Sequence, residues 1–296
     1  MKLSDLIKYI RLVGLNPHII SSLSRIPVND VYYSILSLFY EHQMTVFPII
    51  NSEKLGLWKG VIWCEKSTIP YEKAKQITGP LANLFRGDIE DDSFMLVFYT
   101  SYEVFDEMKQ TYEKVFDKLN MNCSINLSVQ SFRFINDENC YDFENEEWVC
   151  NRKQVYISIP SKELLKLDKY DVNLLTDIQV NPAIPYWRNY HYKHIKEVLH
   201  GFMYTLGKTN YILDVKSKRI VNDPSLLTIV QLDNGYYIAE YHADKKSLER
   251  VISNVNKIKD VEIIISIKDL AFAHGFSIPY EVFKDNKWKI PKIKIE

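Results

Sequence analysis

Glycine is scarce in this 296-residue sequence, with nine residues in all. That leaves little material for phosphate-cradling loops, and no G-x-S-x-G, P-loop, G-x-G-x-x-G or H-E-x-x-H pattern occurs. The common hydrolase, nucleotide-binding and zinc-protease signatures are therefore absent. Cysteine is also rare: Cys64, Cys123, Cys140 and Cys150 show no C-x-x-C spacing. So few cysteines in so long a chain predict reduced thiols rather than disulfides or zinc. No apolar run approaches the roughly 18 residues a membrane span needs. No basic-then-apolar leader opens the chain either, so the expected location is the cytoplasm and the expected membrane contact is none. Net charge is low as well. At −1, the chain is not a nucleic-acid binder that works by bulk charge, so any basic surface must be local.

What remains is ordinary globular material, with 46% hydrophobic and 25% charged residues. The chain is long enough for two or more cores. Leu6, Ile7, Ile10, Leu12 and Val13 give residues 3–13 one apolar side, and Gly14 is a natural stop. Ile19, Ile20, Leu23 and Ile26 repeat the spacing on a second short helix that Pro27 ends. A third helix, capped by Asn29 or Asp30, turns Val31, Ile35, Leu38 and Phe39 inward. The β-branched run Val46–Ile50 follows. Three helices and then strands predict a winged helix-turn-helix over residues 1–56.

The next segment alternates differently. Strands are expected over 57–64, 79–85, 94–99 and 123–135, with a short helix within 70–77. The clearest helix is 102–119, where Val104, Phe105, Met108, Tyr112, Val115, Phe116 and Leu119 share one face. Strand-helix-strand-strand-helix-strand is the ferredoxin-like sandwich, placed at 57–136. Trp58, Trp63, Phe94, Phe98 and Tyr99 are expected in its core or at a dimer surface. Residues 137–147 hold six acids and, with a strand at 155–159, form an acidic connector over 137–160.

The order then begins again. Leu164, Leu165, Leu167, Val172, Leu174, Leu175 and Ile178 are spaced helically, and Asn181-Pro182 breaks the run. Residues 187–204 read as a recognition helix with Tyr192, Ile195, Val198, Leu199 and Phe202 inward, and 210–215 as a wing strand. A second helix-turn-helix is thus assigned to 161–220. A shortened second sandwich follows at 221–296, with an Asn234-Gly235 hairpin turn and a basic tail containing Lys284, Lys287, Lys289, Lys292 and Lys294. The expected class is α+β: winged helix-turn-helix units joined to ferredoxin-like α/β sandwich domains, as a tandem duplication.

The run from Ile20 to Leu57, closing on Asn51-Ser52-Glu53-Lys54-Leu55-Gly56-Leu57, resembles the N-terminal part of the Lrp/AsnC (feast/famine) transcription regulators. Asp168–Gln179 is similar to that family's opening helix, and Tyr190-His191-Tyr192-Lys193-His194 resembles tandem archaeal relatives with two units in one chain. The resemblance implies a DNA-binding transcription regulator and not an enzyme, with no cofactor. Its partners would be double-stranded DNA, a small-molecule effector at the junction of the sandwiches, and a second copy or second half meeting through the sandwich sheets.

A recognition helix reads base edges near its N-terminus while cations hold phosphates. In the first unit the candidates are Asn29, Tyr32 and Tyr33 with Arg25, although Val28–His42 contains no Lys or Arg. Residues 186–219 hold seven Lys/Arg against two acids, so Arg188, His191, Lys193 and Lys196 are the stronger DNA-binding candidates. His191 and His194 share a helical spacing suited to a metal, but no acid or thiol completes the set nearby in sequence, so no metal is expected. Two other readings stand beside this one. One is a protein-interaction module that keeps the fold without DNA contacts. The other follows from the resemblance: some proteins of this tandem architecture are siroheme decarboxylases that hold a modified haem with His and Arg residues, for which His191, Arg86 and Arg188 are the candidates.

Overall fold

The computed structural model describes residues 2–267 and 278–290, apart from 68, 71, 72, 74, 75, 78, 136, 151, 152, 159–162 and 208. The N-terminal helices form as their spacing dictates. α1 (Leu3–Val13) buries Leu6, Ile7 and Ile10 completely. Gly14 ends it at φ +75°, where a Cβ would lie 2.3 Å from the carbonyl oxygen of Pro182. α2 (Pro17–Ser24) is capped by the Asn16 side chain, which accepts from the His18 and Ile19 N–H groups. α3 (Val28–Tyr40) starts one residue after Pro27, so Asn29 and Asp30 lie in its first turn instead of capping it. The following strand β1 (Thr45–Ile50) finds its partner far away in sequence, in β7 (Leu199–Thr205), with Thr45 opposite Thr205.

Two ferredoxin-like sheets follow. The first contains β2 (Leu57–Glu65), β3 (Ala82–Gly87), β4 (Phe94–Ser101), helix α4 (Tyr102–Lys118) and the long β5 (Asn122–Ile135). Its spatial order is β5-β2-β4-β3, all antiparallel, which is the 4-1-3-2 arrangement of a ferredoxin-like sandwich. The helix expected within 70–77 falls largely on residues outside the description. α4 packs Phe105, Met108, Tyr112, Val115 and Phe116 on Ile62, Cys64, Phe94, Leu96 and Phe98. Gly60 lets Phe98 lie flat on the sheet, since a Cβ there would meet the ring at 2.2 Å.

β6 (Lys153–Ser158) pairs with the end of β5. Helix α5 (Lys169–Val180) opens on a capping box, in which Asp168 accepts from the Asp171 N–H and Asp171 accepts from the Asp168 N–H. The second sheet consists of β8 (Tyr211–Ser217), β9 (Leu226–Leu232), β10 (Tyr237–Ala243), helix α7 (Lys245–Val255) and β11 (Glu262–Ile267). Its order β11-β8-β10-β9 is again 4-1-3-2. Residues 218–225 stand in place of its first crossover helix. Residues 210–215, read as a wing strand, fall in fact on β8, the first strand of this sheet, hydrogen-bonded to β10 and β11.

The two sheets are one. β5 gives its first half to β2 and its second half to β9, with Thr228 opposite Arg133. The outer edges also meet: the Ile89 N–H donates to Ile265 O at 2.9 Å, and the Ser266 hydroxyl donates to Gly87 O at 2.8 Å. Eight strands therefore curl into a closed ring, in which α4 covers one half and α7 the other. The sheet surfaces expected to self-associate are joined within one chain.

The second recognition helix does not form. Within 187–204, a 3₁₀ turn spans Tyr186–Arg188, one turn of helix, α6, spans Tyr192–Ile195, and β7 begins at Leu199. Phe202, Met203, Tyr204 and Thr205 are buried in succession, as in a strand covered on both faces. Among the described residues, no helix is long and apolar enough to cross a membrane.

The expectation of free thiols is also overturned. Cys64 and Cys123 stand directly opposite each other on β2 and β5 and are disulfide-bonded; Cys140 and Cys150 form a second bond. Register brings the first pair together across 59 residues of sequence, which spacing alone does not reveal. The cytoplasmic expectation loses the support it drew from reduced thiols. A bond closing so long a loop removes denatured-state freedom worth roughly 2–4 kcal/mol. Reduction should therefore lower the urea midpoint, and a Cys64→Ala, Cys123→Ala protein should show part of that loss without reductant, the remainder belonging to Cys140–Cys150.

Candidate functional site

Strand alternation sends one set of side chains to α4 and α7 and the other into the ring. Val61, Trp63, Met95, Val97, Tyr99, Leu227, Val230, Leu232, Ile238 and Ile264 form the apolar part of that interior. Set among them are Lys59 of β2, Arg86 of β3, Asp214 and Lys216 of β8, and Glu240 and His242 of β10, all of low exposure. Arg86 is 3% exposed and Asp214 fully buried. Asp214 and Glu240 are direct register partners, so their carboxylates share one face of neighbouring strands.

Arg86 reaches from the first half to both acids of the second. Its Nε stands 3.6 Å from Asp214 Oδ2, and its Nη2 3.8 Å from Glu240 Oε1. Both separations exceed hydrogen-bond length. Arg86 Nε and Nη1 and both Asp214 oxygens lack a hydrogen-bond partner among the described residues, as do Asn126 Nδ2 and Ser131 Oγ. Glu240 Oε1 meets His242 Nε2 at 2.6 Å. A buried ion pair is weak evidence for stability, because desolvation offsets its attraction. A loose buried cluster with uncommitted donors is better explained by binding.

The two acids are pushed in opposite directions. Burial, and then the neighbouring Glu240 charge, raise Asp214 to about 8 against the pull of Arg86. Burial alone would raise Glu240 too, but the His242 hydrogen bond and the charges of His242, Arg86 and Arg133 bring it down to about 2. Their surroundings thus favour the protonated form of Asp214 and the ionised form of Glu240, the division of labour acid–base chemistry uses. On the first half, Lys59 lies 5.8 Å from the centre of the Tyr99 ring, and Arg133 hydrogen-bonds the Tyr99 hydroxyl, which burial raises to about 12. Lys216 donates to Glu262 at 2.8 and 3.1 Å and sits 5.6 Å from the Trp63 ring, joining the two halves.

Of the candidate site residues named from the sequence, only Arg86 lies in this interior, beside Trp63 and Tyr99 of the aromatic cluster. Asn29, Tyr32 and Tyr33 are exposed on the N-terminal part of α3, and Arg25 is the left-handed residue ending α2. Arg188, Lys193 and Lys196 are exposed but lie on a 3₁₀ turn, on α6 and just after it, so no recognition helix presents them together. His191 and His194 both reach α5, His194 while remaining exposed. Their Nδ1 atoms lie 3.0 and 2.7 Å from the two oxygens of buried Asp171, and Asp168 is 3.7 Å from His191. An acid does complete that set, supplied from 20 residues upstream, and the hydrogen bonds staple the turn 189–195 to α5.

The chain is similar to two solved structures. One is the crystal structure of the siroheme decarboxylase NirDL, at TM-score 0.48 and 11% identity, covering 95% of this chain and 97% of that one. The other is the same enzyme in co-complex with an iron-uroporphyrin III analogue, at 0.45 and 12%, covering 88% and 89%. No family model and no curated protein matches. Both similar structures are of an enzyme, and the expectation that this chain is not one no longer stands.

The raised Asp214 gives a signed pH dependence. The folded chain holds a proton there that the unfolded chain has released, so its contribution is complete below about pH 4 and is lost as pH rises through about 8. Lys59, His200, Glu262 and Asp88 add their own slopes, which the comparison of parent with variant largely cancels. The stability gained by Asp214→Asn over the parent should grow across that window, as read from urea midpoints at each pH. A constant difference would contradict the raised acid.

Proposed function

We propose that the protein is an enzyme that removes or exchanges a carboxyl group on an anionic substrate held inside the closed ring of strands. Arg86 is the clamp: three buried N–H vectors stand beside acids too distant to satisfy them, and a guanidinium favours two-point contact with a carboxylate. That is the observation carrying the proposal. Asp214, held neutral, is the proton donor, and Glu240, fixed as an anion by His242, keeps it so. In a decarboxylation the bond from carbon to the carboxyl group breaks, carbon dioxide leaves, and the electron pair left on carbon takes the Asp214 proton. The substrate class is therefore a compound with at least two carboxylates, one for Arg86 and one to lose. Siroheme, named for the similar structures, is a member of that class, and iron-uroporphyrin belongs in any panel of trial ligands.

The DNA-binding reading rests on α3 alone. Its exposed face offers Asn29, Tyr32 and Tyr33 with a single nearby cation, Arg25, and the second unit has no helix to match it. Two helices set one turn of duplex apart are not formed, so the regulator reading has less support than the enzyme.

The test is calorimetric and kinetic. Arg86→Gln should weaken binding of iron-uroporphyrin or a small polycarboxylate by roughly 10–100-fold, the worth of a charge-assisted hydrogen bond. Asp214→Asn should leave binding near parental while lowering turnover by about 10²–10⁴. Binding indifferent to Arg86 would overturn the reading.

A further inference from the structure

Asp171 is a fully buried acid, and among the described residues no lysine or arginine nitrogen lies within ion-pair distance of it. Buried carboxylates are paired or coordinate a metal. What faces Asp171 is a pair of imidazoles: His191 Nδ1 stands 3.0 Å from its Oδ1, and His194 Nδ1 2.7 Å from its Oδ2. Asp168, at the cap of α5, brings a second carboxylate to 3.7 Å from the same His191 nitrogen. One ligand atom each from Asp168, Asp171 and His191 lie within 4.8 Å of one another. Two acids thus converge on two imidazoles, and an imidazole gives no countercharge unless it is protonated.

We propose that Asp168, Asp171, His191 and His194 bind a divalent transition metal, and that zinc is the ion their chemistry suits. Ligand atoms held about 2.0–2.2 Å from zinc at tetrahedral angles stand roughly 3–3.6 Å apart. The separations of 2.7, 3.0 and 3.7 Å bracket that spacing. Imidazole with carboxylate favours zinc and its neighbours over calcium or magnesium, which take oxygen alone. The ion supplies the positive charge that Asp171 lacks. It has a way in, because the His191 and His194 side chains are 25% and 45% exposed. The Tyr170 ring, stacked on His191 at 5.3 Å, holds that imidazole in place. Four protein ligands close the coordination sphere, as in a structural site. The metal would pin the turn 189–195 to α5, and that turn leads into β7, the partner of β1. None of the four ligands belongs to the ring interior, so this inference stands apart from the decarboxylase reading.

The experiment takes the full chain, stripped with EDTA, and titrates it with zinc alone in a calorimeter. One equivalent should bind more tightly than about 1 µM. It should also raise the melting temperature, since the assembled site exists only in the folded chain. Cobalt(II) in place of zinc should give the intense visible bands of a four-ligand site. His191→Asn and His194→Asn put an amide nitrogen near the position of Nδ1, so each keeps a donor for Asp171 while losing the imidazole. Each should weaken zinc by at least about 100-fold, the upper end of what losing a mere outer-shell partner costs. A purely structural hydrogen bond predicts no such change. Asp171→Asn should abolish binding; if it folds poorly, Asp168→Asn, which retains a capping residue, should still weaken zinc by at least about tenfold. Zinc binding that survives both histidine substitutions, or no saturable equivalent in the parent, would overturn the inference.

Discussion

The structure depends on closing a sheet at two seams. β5 serves both halves along its length, and Gly87 and Ile89 hydrogen-bond to β11, so the two outer edges meet. Closure satisfies the backbone groups that an open edge would expose. It also encloses everything the inner face carries, and that face carries charge. Arg86, Asp214, Glu240 and Lys59 are held where water is scarce, so each one's protonation is set by its neighbours. The chemistry is a consequence of the topology.

Fusing two halves in one chain lets them differ. A symmetric dimer would repeat each interior residue; here Lys59 and Tyr99 come from one half, and Asp214, Glu240 and His242 from the other. Arg86 spans the two. The second half is also the simpler one, with no recognition helix over 187–204 and no crossover helix over 218–225. A chain without that second helix still keeps the sheet that its interior needs.

Much of the fold was legible in the sequence, for identifiable reasons. Amphipathic spacing found α1, α2, α3 and α4, and Asn234-Gly235 marked the hairpin between β9 and β10. Residues 187–204 misled because Ile195, Val198, Leu199 and Phe202 fit a helical stripe and a buried strand equally well. Gly201 decides it: at φ +97° it lets the chain pass where a Cβ would lie 2.6 Å from Arg11 O, an approach that fixes β7 against α1. The disulfide between Cys64 and Cys123 depends on strand register, which spacing does not contain. The site was harder still, because its residues are isolated charges scattered over several strands with no motif between them. A signal was present: Asp214 and Glu240 each interrupt an apolar strand, Ile212-Leu213-Asp214-Val215 and Ile238-Ala239-Glu240-Tyr241. Such charges mark either a wet face or a functional interior, and only the ring's closure distinguishes the two.

The central claim is that this interior keeps one carboxylic acid neutral at physiological pH beside an ionised one. Infrared difference spectroscopy of the protein at neutral pH, comparing the parent with Asp214→Asn, reads it directly. A protonated-carboxyl stretching band present in the parent and missing from the variant is the predicted result. A parent spectrum without that band, or a band untouched by the substitution, would contradict the account.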